Sequence, residues 1–155
     1  MKRLLIVLSV FALALIVSSA VSAQTDPRIG TWKLNIAKST GDTPKSETRT
    51  YTQSGDSVTA HVERVNSDGS KQAYGVTNKA DGKDYPWSGQ GPGGADTVSV
   101  KRVGNAFEAE DKKGGKVIFK TTITFSGGGK VMTFTSKGVD AKGKPMDTVR
   151  VYDKQ

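Results

Sequence analysis

Glycine-containing turn signals recur at short intervals along the chain and are its most constraining feature. The stretches between them alternate apolar and polar residues and show no sustained helical period. Turns of this composition connect neighbouring antiparallel strands, so the pattern predicts a meander of β-hairpins. The signals are Ser54-Gly55-Asp56, Ser67-Asp68-Gly69, Asp81-Gly82, Gly104-Asn105, Lys113-Gly114-Gly115, Gly127-Gly128-Gly129 and Asp140-Ala141-Lys142-Gly143.

Closing such a meander on itself removes the exposed edges of a long open sheet. We therefore predict an all-β fold: a single antiparallel up-and-down β-barrel of about eight to ten strands over residues 24–155. Two segments interrupt the strands: Ile36–Ser46, which could form one helical turn, and the glycine-rich Ser88–Ala95, either a lid at the barrel mouth or a surface loop. The predicted strands are Ile29–Asn35, Glu47–Gln53, Ser57–Val65, Lys71–Lys79, Lys83–Trp87, Thr97–Val103, Ala106–Asp111, Lys116–Ser126, Lys130–Lys137 and Asp147–Asp153.

The N-terminal residues have the three-part pattern of a secretory signal peptide. Lys2 and Arg3 precede an apolar run, Leu4–Val17, and small residues end at Ala23. That run is shorter than the roughly 20 residues needed to cross a bilayer, which favours cleavage over a membrane anchor. We expect residues 1–23 to be a signal peptide and the mature chain to be periplasmic or extracellular.

The mature chain has a modest excess of positive charge. Removing residues 1–23 takes Lys2 and Arg3 from 23 Lys+Arg and leaves 21 against 15 Asp+Glu, a formal charge of +6. The lysines are dispersed, which is typical of a soluble surface, and no aromatic platform accompanies them. We expect no nucleic-acid partner, no membrane anchor in the mature chain, and a monomer. The absence of cysteine excludes disulfides, thiolate chemistry and acylation at a lipoprotein cysteine.

Alternation predicts which side chains face the barrel interior. The small or polar inward residues Ala60, Gly75, Ala109 and Thr121 leave room for a cavity, although small barrels can also be filled by side chains. The predicted inward residues are Val58, Ala60, Val62, Tyr74, Val76, Val98, Val100, Phe107, Ala109, Val117, Phe119, Ile123, Phe125, Met132 and Phe134.

The same parity places arginines inside the barrel. Arg64 and Arg102 share the inward parity, and Arg49 lies on the same side as Tyr51. Guanidinium groups suit the recognition of carboxylate or phosphate, so an anion-binding cavity is one interpretation. The alternative is that Arg64 and Arg102 lie at strand ends and point past the rim into water. The other cavity candidates are Tyr74, Phe119 and Trp87, the last of which could instead anchor the glycine-rich loop.

Two short motifs carry a resemblance to known barrels. Gly30-Thr31-Trp32 resembles the lipocalin Gly-x-Trp signature, which implies that Trp32 closes one end of the barrel under an arginine of the last strand, here Arg150. The pair Arg150 and Tyr152 is similar to the Arg-x-Tyr of fatty-acid-binding proteins, which implies that both hold a ligand carboxylate. The chain as a whole resembles exported bacterial lipocalin-like proteins of the calycin class over Gly30–Asn35, Asp81–Pro86 and Ser136–Pro145.

The role of Arg150 stays open between these two resemblances. Val149 and Val151 are the apolar side of the last strand, so parity would turn Arg150 and Tyr152 outward unless a bulge intervenes. The leading interpretation is therefore a structural clamp of Arg150 on Trp32, with ligand anchoring as the alternative.

No motif for catalysis, metal or cofactor binding is present. His61, the one histidine, has outward parity and no cysteine to share a metal with. The sequence contains no nucleophile elbow or phosphate-binding glycine loop, so it makes no prediction of enzyme activity. The leading hypothesis is an exported binding protein that holds a small, mostly apolar ligand, with or without an anionic head. The alternative is an interaction module with a filled barrel whose surface or loops bind a protein or an anionic polymer.

Overall fold

The computed structural model describes residues 25–139 and 143–155. Ten antiparallel strands lie in this part of the chain, and the all-β meander predicted from the turn signals is confirmed. The strands are β1 (Gly30–Thr40), β2 (Ser46–Ser54), β3 (Ser57–Val65), β4 (Lys71–Asn78), β5 (Asp81–Pro86), β6 (Thr97–Val103), β7 (Ala106–Lys113), β8 (Lys116–Ser126), β9 (Val131–Val139) and β10 (Pro145–Lys154).

The first and last strands pair with each other and bend the meander into a barrel. The strand order is β4-β3-β2-β1-β10-β9-β8-β7-β6-β5, with Trp32 opposite Lys154 where β1 meets β10. The barrel has a seam between β4 and β5, which one isolated bridge between Gly75 and Ser88 connects. Every other neighbouring pair forms a hydrogen-bonded ladder.

The first strand is longer than predicted, and the helical turn expected within Ile36–Ser46 is wrong. β1 continues to Thr40, with a bulge between Asn35 and Thr40 in its pairing with β10. Side chains replace the missing ladder bonds at this bulge: the Ser39 hydroxyl donates to the carbonyl of Asn35 and accepts from the backbone N–H of Val151. These contacts keep the chain extended.

The predicted inward faces are confirmed for all but two positions, Gly75 and Val117. Gly75 lies between the buried Tyr74 and Val76 and pairs with the outward-facing His61, so it is on the outer face of the sheet. Val58, Val62, Phe107 and Met132 are buried, and the other apolar residues of the predicted set are buried or partly buried. Val117 is wrong: it is 41% exposed, because the register of β7 and β8 shifts between Asp111 and Lys112 and pairs Val117 with Lys112, on the outer face of the sheet.

Trp32 closes the barrel at the end where β1 begins. Its indole N–H donates to the carbonyl of Arg28 at 2.7 Å, and its ring packs against Phe125 with 6.0 Å between centroids. Arg28 is itself buried, pairs with Asp26 at 2.7 Å, and stacks over Phe107 at 4.2 Å. The segment before β1 therefore seals this end.

The clamp expected from Arg150 onto Trp32 is wrong. Lys154 occupies that place, with its Nζ 5.1 Å from the Trp32 ring centroid. Arg150 lies four residues away along β10 and donates to the carbonyl of Asp42 at 3.1 Å, beyond the far end of β1. Lys154 rather than Arg150 faces Trp32 because the β1–β10 register sets them opposite each other.

The predicted signal peptide, residues 1–23, lies outside the described residues, as do positions 140–142 of the last turn signal. In the two described ranges, no helix has the length and hydropathy that a membrane crossing requires.

Candidate functional site

A cavity lies inside the barrel between the Trp32 end and the glycine-rich loop. Its volume is about 90 Å³, measured as the space open to the centres of water-sized molecules. A cavity needs roughly 10–15 Å³ to hold one water, so this space is large enough for several. The lining residues are Arg28, Arg49, Tyr51, Ala60, Arg64, Val76, Asn78, Trp87, Pro92, Gly93, Val98, Val100, Ala109, Asp111, Phe119, Thr121, Ile123, Phe134, Ser136, Met146, Thr148 and Arg150.

Glu47 organises the charged side of the barrel interior. Its carboxylate is buried and accepts from Arg49 at 2.5 Å and from the Tyr152 hydroxyl at 2.6 Å, both at Oε1. Its second oxygen, Oε2, accepts from Nε of Arg64 at 2.6 Å, and Nη2 of Arg64 forms an ion pair with the same oxygen at 2.6 Å. Nη2 of Arg64 also donates to the Tyr74 hydroxyl at 2.7 Å. Both carboxylate oxygens thus accept charge-assisted hydrogen bonds.

The electrostatics of this cluster hold Glu47 ionised. Burial alone would raise its pKa, but the charges of Arg49, Arg64 and Arg150 and the Tyr152 hydrogen bond outweigh it and lower the pKa to about 2. Burial and the adjacent Glu47 carboxylate raise the pKa of Tyr152, so its hydroxyl stays protonated and remains a donor.

Arg150 is the arginine that this carboxylate does not satisfy. Its Nε is buried and has no hydrogen-bond partner among the described residues, while its Nη2 donates to the backbone of Asp42. Arg150 lines the cavity, and its strand neighbour two residues back, Thr148, does so as well. A buried guanidinium donor without an acceptor is costly unless a ligand or water supplies one.

The inward orientation of β10 corrects the prediction from Val149 and Val151. Thr148 and Arg150 line the cavity, and the hydroxyl of Tyr152 reaches buried Glu47, so the even-numbered side chains point inward. The two valines then face the opposite side of the sheet. Apolar content misled the parity argument here because this wall of the barrel is polar.

A second carboxyl lies at the other end of the cavity. Asp111, on β7, is 5% exposed and accepts the indole N–H of Trp87 at 2.9 Å through Oδ1. Oδ2 has no donor within residues 25–139 and 143–155. Burial raises the pKa of Asp111 to about 6, although the Trp87 hydrogen bond and the Arg49 charge oppose this rise.

The glycine-rich loop forms part of the cavity wall. It folds into a short 3-10 turn at Pro92–Gly94, in which Ala95 N–H donates to the carbonyl of Pro92 at 3.1 Å. A Cβ at Gly91 would collide with the Trp87 ring, and one at Gly93, where φ is +61°, would collide with Phe119. Only glycine allows the backbone to approach both rings this closely. Trp87 therefore lines the cavity and also supports the loop, which unites the two predicted roles.

A row of hydroxyls crosses the polar wall. Thr121 pairs with Ser136 across β8 and β9, and Ser136 pairs with Thr148 across β9 and β10. All three line the cavity, and the hydroxyls of Thr121 and Ser136 are 2.8 Å apart. The facing wall is apolar and includes Ala60, Val76 and Val98. The cavity thus has one polar and one apolar side.

The structure brings most of the sequence-predicted ligand residues to one region. Arg150, Arg64, Trp87 and Phe119 line the cavity. Tyr152 and Tyr74 lie behind this surface and bind Glu47 and Arg64 through their hydroxyls. Their contact with a ligand remains a prediction.

Arg102 is separate from the other candidates. Its guanidinium lies 5.7 Å from the Phe107 ring centroid at the closed end, and its Nε donates to the carbonyl of Gly104. It is not among the residues that line the cavity. Arg102 lies on the inward side of its strand, as predicted, but at the rim of the barrel and not in the cavity.

Sequence reasoning missed three charged residues of the interior: Glu47, Asp111 and Arg28. The signal for two of them was present, because Glu47 has the parity of Arg49 and Tyr51, and Asp111 has the parity of Phe107 and Ala109. Acidic residues are usually assigned to the surface, so the parity was not extended to them. Arg28 precedes the strand, where alternation gives no information.

The outward parity predicted for His61 agrees with its exposed side chain. Among the described residues, no group of three or more histidine and acidic side chains is arranged to hold a metal ion.

Comparison with solved structures supports the fold. Zebrafish ileal bile acid-binding protein, in complex with cholic acid, matches with a TM-score of 0.53 and 16% identity over 83% of this chain and 99% of that one. Rv2717c from M. tuberculosis matches with a TM-score of 0.51 and 12% identity over 83% of this chain and 93% of that one. No protein-family model matches the sequence, and no curated protein is significantly similar to it. These likenesses show a shared antiparallel β-barrel fold.

The buried network predicts a large stability loss when Glu47 is neutralised. Glu47→Gln leaves Arg49 and Arg64 as buried cations without a counter-ion, which typically costs about 3–5 kcal/mol. Urea unfolding at pH 7 measures the change, and Glu63→Gln, whose side chain is 71% exposed, is the matched control. A loss below about 1 kcal/mol for Glu47→Gln would contradict the assigned network.

Neutralising Asp111 should raise the free energy of unfolding, by an amount that depends on pH. Its folded pKa exceeds the ordinary 3.8, so the folded state binds more protons between about pH 4 and 6 and its stability falls as pH rises through that window. A rise from 3.8 to about 6 corresponds to roughly 3 kcal/mol.

Asp111→Asn removes this titration. The variant should match the wild type below pH 4 and exceed it above pH 6 by up to about 3 kcal/mol in urea unfolding. Asp147→Asn, at an exposed position of β10, should show no such pH-dependent difference. Equal stability of Asp111→Asn and wild type at every pH would rule out the buried carboxyl.

Proposed function

We propose that this protein is an exported carrier that holds a small, mostly apolar organic anion inside its barrel. The observation that carries the proposal is Arg150: its buried Nε has no acceptor among the described residues, and it lines the cavity. Glu47 cannot serve it, because both of its oxygens accept from Arg49, Tyr152 and Arg64. An anion in the cavity would supply the missing acceptor.

The charges of the interior agree with an anionic ligand. Arg49, Arg64 and Arg150 face Glu47 and Asp111, so the five groups sum to one positive charge when Asp111 is ionised. The pair of Arg28 and Asp26 is neutral by itself. A ligand with one negative charge brings the interior to neutrality, which is the favourable state in a region of low dielectric.

The remaining wall suits the apolar part of such a ligand. Val76, Val98, Val100 and Ile123 line the cavity, and burial of alkyl groups against them contributes about 0.8 kcal/mol per methylene. The alternative of a surface interaction module requires a filled barrel, whereas the interior contains a cavity. The zebrafish protein of the same fold is complexed with cholic acid, an organic acid. Export rests on the signal-peptide pattern of residues 1–23.

Octanoate is a suitable probe, because it joins a carboxylate to an apolar chain and 1-octanol is an uncharged control of equal length. The two indole N–H signals of ¹⁵N-labelled protein report position: Trp87 is at the cavity and Trp32 at the closed end. We expect octanoate to shift the Trp87 signal saturably and more than the Trp32 signal. Octanol should bind at least about tenfold more weakly, because it lacks the charge-assisted contact. Failure of octanoate to bind would contradict the proposal.

Arg150→Leu tests the anchor directly. The variant should bind octanoate at least about tenfold more weakly than the wild type does, and its affinity for octanol should be unchanged. Arg102→Leu is the matched control, since this strand arginine lies outside the cavity and should leave both affinities unaltered. Normal octanoate binding in Arg150→Leu would exclude Arg150 as the anchor.

A further inference from the structure

The cavity has a second polar end that an unsubstituted fatty acid would leave unused. Asp111 lies in the cross-strand row formed with Phe119, Gly138 and Met146 on β8, β9 and β10. Arg150 is four residues beyond Met146 along β10, a rise of about 13 Å. The two charged groups therefore stand at different depths of the same cavity.

Asp111 presents an acceptor into this space. Trp87 occupies Oδ1, and Oδ2 has no donor in the described parts of the chain. The side chain is nonetheless nearly completely buried, and it lines the cavity. Among the described residues, only Nε of Arg150 is a fully buried side-chain atom without a partner, so Oδ2 of Asp111 is open to the cavity, where a donor from the ligand can reach it.

The surface between the two charges is polar as well. The hydroxyl row of Thr121, Ser136 and Thr148 lies between the Asp111 row and Arg150. A polar strip that joins a cation to a carboxylate fits a molecule with polar groups along one side. The apolar wall opposite, with Ala60 and Val76, fits the other side of the same molecule.

Charge selects the kind of donor. Once a ligand carboxylate is bound, the three arginines balance Glu47, Asp111 and the ligand. A cationic group on the ligand would leave one positive charge unpaired in the interior. A hydroxyl would satisfy Asp111 without changing the net charge.

We infer that the ligand is a hydroxylated carboxylate, whose carboxylate binds Arg150 and whose distant hydroxyl donates to Asp111. This inference rests on the proposed function and adds the chemical class of the ligand.

The experiment compares three terminal groups at each chain length from six to ten carbons: the plain carboxylate, the ω-hydroxycarboxylate and the ω-aminocarboxylate. Affinities are measured at pH 7.5 from the Trp87 indole signal, since Trp87 contacts Asp111 directly. At the best chain length the ω-hydroxycarboxylate should bind at least about tenfold more tightly than the plain one, the range for a hydrogen bond to a charged group.

Asp111→Leu should remove this preference, so that the plain carboxylate and the ω-hydroxycarboxylate of equal length bind with equal affinity. Glu108→Leu, at an exposed position of the same strand, is the matched control and should keep the preference. The wild-type comparison stands by itself, because it needs no variant to fold.

The outcomes separate the inference from the function on which it rests. If no carboxylate binds, the proposed function fails. If plain carboxylates bind and the ω-hydroxyl group raises the affinity at no chain length, the proposed carrier function stands and the inference of a hydroxylated ligand is overturned. Tighter binding of the ω-amino series than of the ω-hydroxy series would also overturn it, because the donor would then be a cation.

Discussion

The burial of Glu47 among arginines is the interaction on which the barrel interior depends. An ionised carboxylate away from water needs opposite charges and hydrogen-bond donors, and Arg49, Arg64 and Tyr152 supply them from β2, β3 and β10. The network therefore joins strands across the β1–β10 closure, since β2 and β10 flank β1 on either side. Arg49 also stacks on Phe134, 4.5 Å from its ring centroid, so the charged cluster and the aromatic core are continuous.

The same network creates the functional asymmetry of the cavity. One carboxylate cannot serve three arginines, and Arg150 is the one left with a buried, unpaired nitrogen. At the other end Asp111 remains under-satisfied. Stability is concentrated in the fully paired Glu47 cluster, whereas the incompletely paired groups face the cavity, where a ligand can complete them. This division explains why neutralising Glu47 and neutralising Asp111 should change stability in opposite directions.

Much of the fold followed from local chemistry. Glycine turns and alternation are properties of a few neighbouring residues, so the meander and faces such as Phe107 and Ala109 could be predicted. Features that depend on pairing between distant strands could not: the bulge that extends β1, the register that sets Lys154 opposite Trp32, and the polar wall that turns Arg150 inward. Alternation identifies the buried face only where that face is apolar, and β10 has valines on the side away from the cavity.

The central claim is that a ligand carboxylate binds as an anion beside Arg150. The ¹³C chemical shift of [1-¹³C]octanoate bound to the protein, followed against pH, tests it most directly. A carboxylate paired with a buried guanidinium should titrate well below free octanoate in the same buffer. The Arg150→Leu variant provides the reference for a site without that charge. Titration of the bound carboxyl at or above the pKa of free octanoate would contradict the account, because it would place the head group in an uncharged environment.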